Sequence, residues 1–159
     1  MDLTFETVLS NNVQSVNDAR QLFKEYAKSL NFSLCFQGFD KELDELPGEY
    51  SPPSGRLFLV FSDDKLAGCV ALRKIDGNVC EMKRLYLRPE FRGNGVGKKM
   101  TAEIIRAAQT IGYTEMRLDT VPIMKEAISI YRSMGFKEIE PYRDNPIPSA
   151  IFMELSLRK

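Results

Sequence analysis

The sequence contains no histidine. Serine–histidine hydrolysis, histidine-ligated metal centres and imidazole catalysis are therefore excluded, and acid–base work falls to carboxylates, tyrosine, lysine or water. Cysteine is scarce and unpatterned: Cys35, Cys69 and Cys80 are odd in number and show no C-x-x-C spacing. That argues against a zinc site or disulfide framework, so no metal is expected, and it points to a reducing, cytoplasmic setting. No apolar run approaches the roughly 20 residues of a membrane span. Met1-Asp2-Leu3-Thr4 lacks the basic and apolar regions of a secretory signal. Neither sign of charge dominates, since 22 Lys and Arg balance 22 Asp and Glu. A globally basic nucleic-acid coat and a long acidic tail are both ruled out. What is present is ordinary: 159 residues, 43% apolar and 28% charged, enough for one domain with a normal core.

Leu3 to Leu9 is β-prone, and Ser15-Val16-Asn17-Asp18 reads as a capping box opening a helix. Val16, Ala19, Leu22, Phe23, Tyr26, Ala27 and Leu30 recur at helical spacing and give that helix one apolar face. Phe32 to Glu49 suggests a second, short helix ending at Pro47-Gly48, with Phe32, Phe36 and Phe39 at helical spacing as core. Its acidic end, Asp40 to Glu49, carries five carboxylates against one lysine, a pattern that usually marks a solvated face. Strands are expected at Arg56–Phe61, Leu66–Leu72 and Val79–Leu87, the last two joined by a turn at Asp76-Gly77-Asn78. A helix from Gly95 to Ile111 follows, stopped by Gly112, then a strand at Met116–Thr120. Pro122 opens a final helix that ends at Met134-Gly135, and strands at Phe136–Ile139 and Ala150–Leu157 close the chain. The order predicts an α+β fold with a mixed central sheet flanked by helices.

The informative stretch is Arg92-Gly93-Asn94-Gly95-Val96-Gly97-Lys98, between a strand and a helix. Alternating glycines let backbone N–H groups turn towards one point, and a helix N-terminus behind them adds unpaired donors and partial positive charge. From Lys83 to Lys99 there are six basic residues and one acidic one. Together these make a site for phosphate oxygens. The dinucleotide fingerprint G-x-G-x-x-G fails because its third glycine falls on Lys98, and a Walker loop fails at Arg92 and Lys99. The pattern Q/R-x-x-G-x-G/A is met by Arg92, Gly95 and Gly97.

That pattern resembles the acetyl-CoA-binding motif of the GNAT superfamily of N-acetyltransferases. The likeness runs from the first helix to the last strand. It includes Ala127-Ile128-Ser129-Ile130-Tyr131-Arg132-Ser133-Met134-Gly135-Phe136, similar to the family's second motif. The resemblance implies a single domain over residues 1–159 with the GNAT-like acyl-CoA N-acyltransferase fold. It further implies acetyl-CoA as co-substrate, held along its pantetheine arm by backbone groups of Leu85, Tyr86 and Leu87. The amide of Leu85 is the group expected to polarise the thioester carbonyl. Arg92, Gly93, Asn94, Gly95, Val96, Gly97 and Lys98 are expected to wrap the pyrophosphate. Many members carry Asn three residues before the motif alanine; here that position is Met124, whose thioether cannot donate a hydrogen bond.

Two catalytic roles are expected from the same resemblance. Glu81 lies where some members place a general base. A lysine-like amine is mostly protonated at pH 7, which costs roughly 4–5 kcal/mol before attack, so a base is useful if its own pKa is raised by burial. The alternative for Glu81 is an exposed strand carboxylate pairing with Lys83 or Arg73. Tyr131 aligns with the tyrosine facing the cofactor sulfur, and its phenol could protonate the departing thiolate; the alternative is core packing. Cys80 alternates to the opposite strand face from Glu81 and reads as buried filler. The acceptor is expected to be a primary amine of a small molecule, amino acid or peptide, with Arg143 in a late loop able to bind a carboxylate. A non-catalytic acyl-CoA-binding module and transfer of a longer acyl group stay open as other readings. No nucleic-acid or membrane partner is expected, and an edge strand near the C-terminus could pair two subunits.

Overall fold

The computed structural model describes residues 2–30 and 38–158. The strands are β1 (Leu3–Thr7), β2 (Arg56–Ser62), β3 (Lys65–Asp76), β4 (Val79–Leu87), β5 (Glu115–Thr120), β6 (Lys137–Ile139) and β7 (Ile151–Ser156). The helices are α1 (Val13–Ser29), α2 (Phe39–Glu45), α3 (Val96–Ile111) and α4 (Lys125–Ser133). One sheet runs β1-β2-β3-β4-β5-β7-β6. Among the described residues only β4 and β5 pair in parallel, and the other neighbouring pairs are antiparallel.

Strand alternation assigns the two faces of the sheet. Cys69 and Ala71 pack with Ala19, Leu22 and Phe23 of α1 and with Phe39 of α2. Val70 and Leu72 point the other way, to Met100, Ile104 and Ala108 of α3 and Tyr131 of α4. Helix α1 begins earlier than the capping-box reading of Ser15 suggests. Asn12 is its N-cap and accepts a bond from the Ser15 amide at 3.1 Å, while the Ser15 hydroxyl donates to Glu6 at 2.7 Å. Phe39 is buried as expected; Phe32, Phe36 and Cys35 lie outside the described residues. Helix α4 starts at Lys125 rather than Pro122, because Val121–Met124 forms a turn closed by the Met124 amide on the Val121 carbonyl at 2.9 Å.

Two features of β4 position the site. Its parallel pairing with β5 covers only Val79–Glu81 against Glu115–Arg117, so from Met82 onward the two strands part. On its other side, Cys69 faces Tyr86 but Ala71 faces Lys83, which leaves one extra residue in β4. Arg84 absorbs this bulge at φ 58°, a region that L-residues seldom occupy, and its carbonyl accepts the Cys69 thiol at 3.4 Å. The bulge shifts the side-chain alternation by one. Lys83 and Arg84, adjacent in sequence, therefore both reach the α1–α2 side, where unbulged alternation would turn Arg84 into the apolar core under α3.

Candidate active site

Where β4 and β5 diverge, a cleft open to solvent is walled by Met82 to Leu85 on one side and Leu118 to Val121 on the other. Tyr131 from α4, Met124 at the start of that helix, Asn145 and Ile147 from the β6–β7 loop, and Tyr26 and Leu30 at the end of α1 also line it. Leu85 thus lines the cleft as the motif leads one to expect. Tyr86 and Leu87 do not: the Tyr86 ring is buried against Tyr26 with ring centres 6.1 Å apart. The Leu87 carbonyl accepts the Arg92 Nε–H at 2.8 Å. Their backbone contributes to the strand edge, but their side chains serve packing.

The glycine loop lies at the end of β4. Gly93 and Gly95 have φ of 92° and 73°, and a Cβ on either would meet open space. Gly97 has a different reason for being glycine. A Cβ there would stand 3.0 Å from the tip of Ile130, so its bareness lets α3 and α4 approach. No side chain among the described residues caps α3, and the first intrahelical bond is from the Lys99 amide to the Gly95 carbonyl. The amides of Val96, Gly97 and Lys98 precede that bond and are the donors an anion would use. Arg92, Asn94, Lys98 and Lys99 are exposed around them. Arg92 also lies over the Tyr86 ring at 5.9 Å, which ties the loop to the strand.

Glu81, the residue expected as a general base, is fully buried in β4. Its side chain has no solvent exposure and does not line this cleft. Its oxygens accept from Arg73 Nε at 3.0 Å, Arg143 Nη1 at 3.3 Å and the Tyr142 hydroxyl at 2.5 Å, with Arg143 Nη2 at ion-pair distance, 2.9 Å. Lys83 Nζ lies 3.8 Å away. The pairing partners Arg73 and Lys83 are those foreseen from the sequence, but the exposure is not. Arg143 reaches on to Asp119 at 2.9 Å, and the Asn145 side-chain amide donates to the same carboxylate at 3.2 Å. Asp119, at the parting of β5 from β4, carries no sequence signal of its own. Glu81 and Asp119 together fasten the β6–β7 loop beside the cleft.

Burial sets the protonation of the remaining groups. It pushes the Tyr131 phenol well above the ordinary tyrosine range, so the group keeps its proton at neutral pH. The Lys83 ammonium is pushed down to about 8, first by burial and then by the charge on Arg84, with Glu81 opposing. Cys80 is buried in the core under α3 and its thiol is raised to about 12, so it offers no thiolate to an acyl group. The acidic stretch is only partly a solvated face. Glu42 makes two 2.8 Å bonds to the buried Arg84, whose guanidinium also lies over the Phe39 ring at 5.5 Å.

A split between two parallel strands, a bulge beside it and a glycine loop leading into a helix are together the architecture of an acyl-CoA N-acyltransferase. The chain belongs to the acetyltransferase (GNAT) family, whose model matches residues 18–136. It is 40% identical to an uncharacterized N-acetyltransferase of Schizosaccharomyces pombe over 148 residues, covering 92% of this chain and 91% of the relative. It is 29% identical to the uncharacterized N-acetyltransferase YjgM of Escherichia coli, over 83% of this chain and 80% of the other. Among solved structures, a GNAT-family acetyltransferase of Staphylococcus aureus superposes with a TM-score of 0.79 at 18% identity, covering 99% of this chain and 100% of the other. The PaiA N-acetyltransferase of Thermoplasma acidophilum, solved with coenzyme A, superposes with a TM-score of 0.70 at 24% identity, covering 98% and 99%. The protein is an enzyme of the acyl-CoA N-acyltransferase class. No helix among the described residues is long and apolar enough to cross a membrane.

Proposed function

We propose that the protein transfers acetyl from acetyl-CoA to a primary amine by direct attack in a ternary complex. One observation carries this reading: the strand edges bared between β4 and β5 lead to the free amides at the start of α3. Pantetheine offers amides for the former and the pyrophosphate offers charge for the latter. The residues present fit the co-substrate, since Gly93 and Gly95 leave open space where side chains would stand.

In this reading the Leu85 N–H, just past the bulge, holds the thioester oxygen as negative charge develops on it. The amine nitrogen bonds to the thioester carbon, the C–S bond breaks, and the Tyr131 phenol gives its proton to the leaving thiolate. Water in the cleft takes the proton lost by the amine and returns it to the Tyr131 phenolate, which restores the phenol. Glu81 acts as an anchor: its lone pairs are engaged by Arg73, Arg143 and Tyr142 and it does not reach the cleft wall. The Asn found in many relatives is replaced by Met124, which lines the cleft and supplies apolar contact to the arm.

Calorimetric titration with acetyl-CoA and CoA, followed by thiol-release assays over a panel of amines, tests the assignment. Binding with amine-dependent thiol release is the expected result. Absence of CoA binding by folded protein overturns it, and faster turnover of propionyl- or longer acyl-CoA corrects the acyl group.

A further inference from the structure

Among the described residues that line the acyl cleft, Lys83 carries the only primary amine. It stands in β4 two positions before Leu85, so the two Cα atoms are at most about 7 Å apart. A second concavity, with Arg73, Tyr50 and Arg143 in its wall, adjoins the cleft, and Lys83 lines both. Its ammonium pairs with Glu81 at 3.8 Å, on a flexible four-carbon stem. Glu81 does not depend on that pair. Arg73 at 3.0 Å, the Tyr142 hydroxyl at 2.5 Å and Arg143 all lie closer, so the carboxylate stays satisfied when Lys83 turns towards the cleft. The other cation of the cleft wall, Arg84, is held by two bonds to Glu42, and a guanidinium does not give up its proton.

We propose that Lys83 is a self-acetylation site, its side-chain nitrogen taking the acetyl group from acetyl-CoA bound in the same molecule when no other amine is present. The inference rests on the acyl-transfer reading of the cleft. In that reading the Leu85 N–H holds the thioester oxygen, which puts the thioester carbon beside the stretch of β4 that carries Lys83. The neutral Nζ bonds to that carbon, the C–S bond breaks, and the Tyr131 phenol protonates the leaving thiolate. Water takes the proton shed by Nζ and returns it to Tyr131. The products are an Nε-acetyl-lysine and free CoA. The surroundings favour the neutral amine: burial and the charges on Arg84 and Arg143 act against protonation, while Glu81 and Asp119 oppose them. With the ammonium pushed down to about 8, about one Lys83 in ten is neutral at pH 7, against about one in 2,500 for an ordinary lysine. Only 7% of the side chain is exposed, so the acyl group in the cleft reaches it more readily than a second protein can.

The test uses acetyl-CoA with a heavy-isotope acetyl group and no added amine. Calorimetry first measures CoA binding on the same sample. Peptide mass spectrometry then follows the label at Lys83 and at two exposed lysines, Lys65 and Lys137, which report spontaneous acetylation. Lys83 is expected to label at least about tenfold faster than either, because its nitrogen is held near the thioester. The rate constant should not change with protein concentration, and excess desulfo-CoA should stop labelling at Lys83 alone. An unlabelled acetyl group already on Lys83, and not on Lys65 or Lys137, is the same product formed during expression. An unmodified Lys83, labelling no faster than at the exposed lysines, a rate constant that rises with protein concentration, or indifference to desulfo-CoA overturns the proposal. Those results leave the acyl-transfer reading standing; that reading fails separately, and this one with it, if the folded protein binds no CoA.

Discussion

Tyr142 donates its hydroxyl to Glu81 across 2.5 Å, joining a residue of the β6–β7 loop to a buried carboxylate in β4 that lies 61 positions earlier in the chain. The Tyr142 ring also packs edge-on to Phe152, with centres 5.2 Å apart, and sits under the guanidinium groups of Arg117 and Arg143. The loop that borders the cleft is therefore held by one carboxylate shared among several donors. Tyr142→Phe keeps the ring and removes the donor. It should cost about 1–3 kcal/mol in urea unfolding, the range for a hydrogen bond to a charged group. An unchanged midpoint would show that the bond contributes nothing net.

Glu81→Gln separates an anchor from a base. Removing the charge strands Arg73 and Arg143 without their buried partner, so a loss of roughly 3–5 kcal/mol in stability is expected. The pH–rate profile of the surviving enzyme should keep its shape. Were Glu81 the base, the rate deficit would instead shrink as rising pH deprotonates the amine. Rate measured from pH 6 to 10 distinguishes the two outcomes.

Tyr131→Phe should lower the rate by about 10²-fold while CoA binding persists, because a positioned proton donor for the thiolate is lost and packing is kept. Stopped-flow turnover beside calorimetry reads both quantities. An unaltered rate would assign Tyr131 to the core alone.

Lys83 gives the protein a stability slope at alkaline pH. In the unfolded chain a lysine holds its proton up to about 10.5, whereas folded Lys83 releases it near 8. Between those values the unfolded state binds more protons, so stability rises with pH across the window and is lower below it by roughly 3 kcal/mol. Arg84, Glu81, Arg143 and Asp119 are the charged groups that act on Lys83, and Lys83→Met removes the titrating group without altering any of them in sequence. Urea unfolding at several pH values between 8 and 10.5 should show a steeper gain for the parent protein than for the variant. Equal slopes would contradict the depressed ammonium.

Gly95→Ala and Gly97→Ala should behave differently although both alter the same motif. Gly95 has φ of 73°, so alanine there is strained by about 1–2 kcal/mol and the loop should shift, weakening CoA binding. At Gly97 the added methyl meets only the far end of the Ile130 side chain, which can turn aside. Paired CoA titrations should rank Gly97→Ala above Gly95→Ala; the reverse order would mean that backbone conformation is not what the loop needs.

Much of this site was legible because its signals are local. The glycines, the basic run and the turn at Asp76-Gly77-Asn78 sit within short segments, and the limits of β4 follow from them. The bulge was not legible, since nothing at Arg84 announces a positive φ; the neighbouring strand and the Cys69 thiol impose it. Asp119 was missed because its importance depends on β5 lying beside β4, a pairing only three residues long. Glu42 was read within a solvated acidic run because its partner Arg84 is 42 positions away and reaches α2 only through the bulge. Asn12 and Ser15 are both good helix caps, and propensity alone does not rank one above the other.

The parting of β4 from β5 has an effect beyond the reaction. A sheet ordinarily exposes unpaired edges at its two flanks, where other chains can add on. Here two more edges face each other in the middle of the sheet, under cover of α4 and the β6–β7 loop. Their backbone N–H and C=O groups need partners from outside the sheet, so the gap offers a guest chain bonds on both of its sides at once.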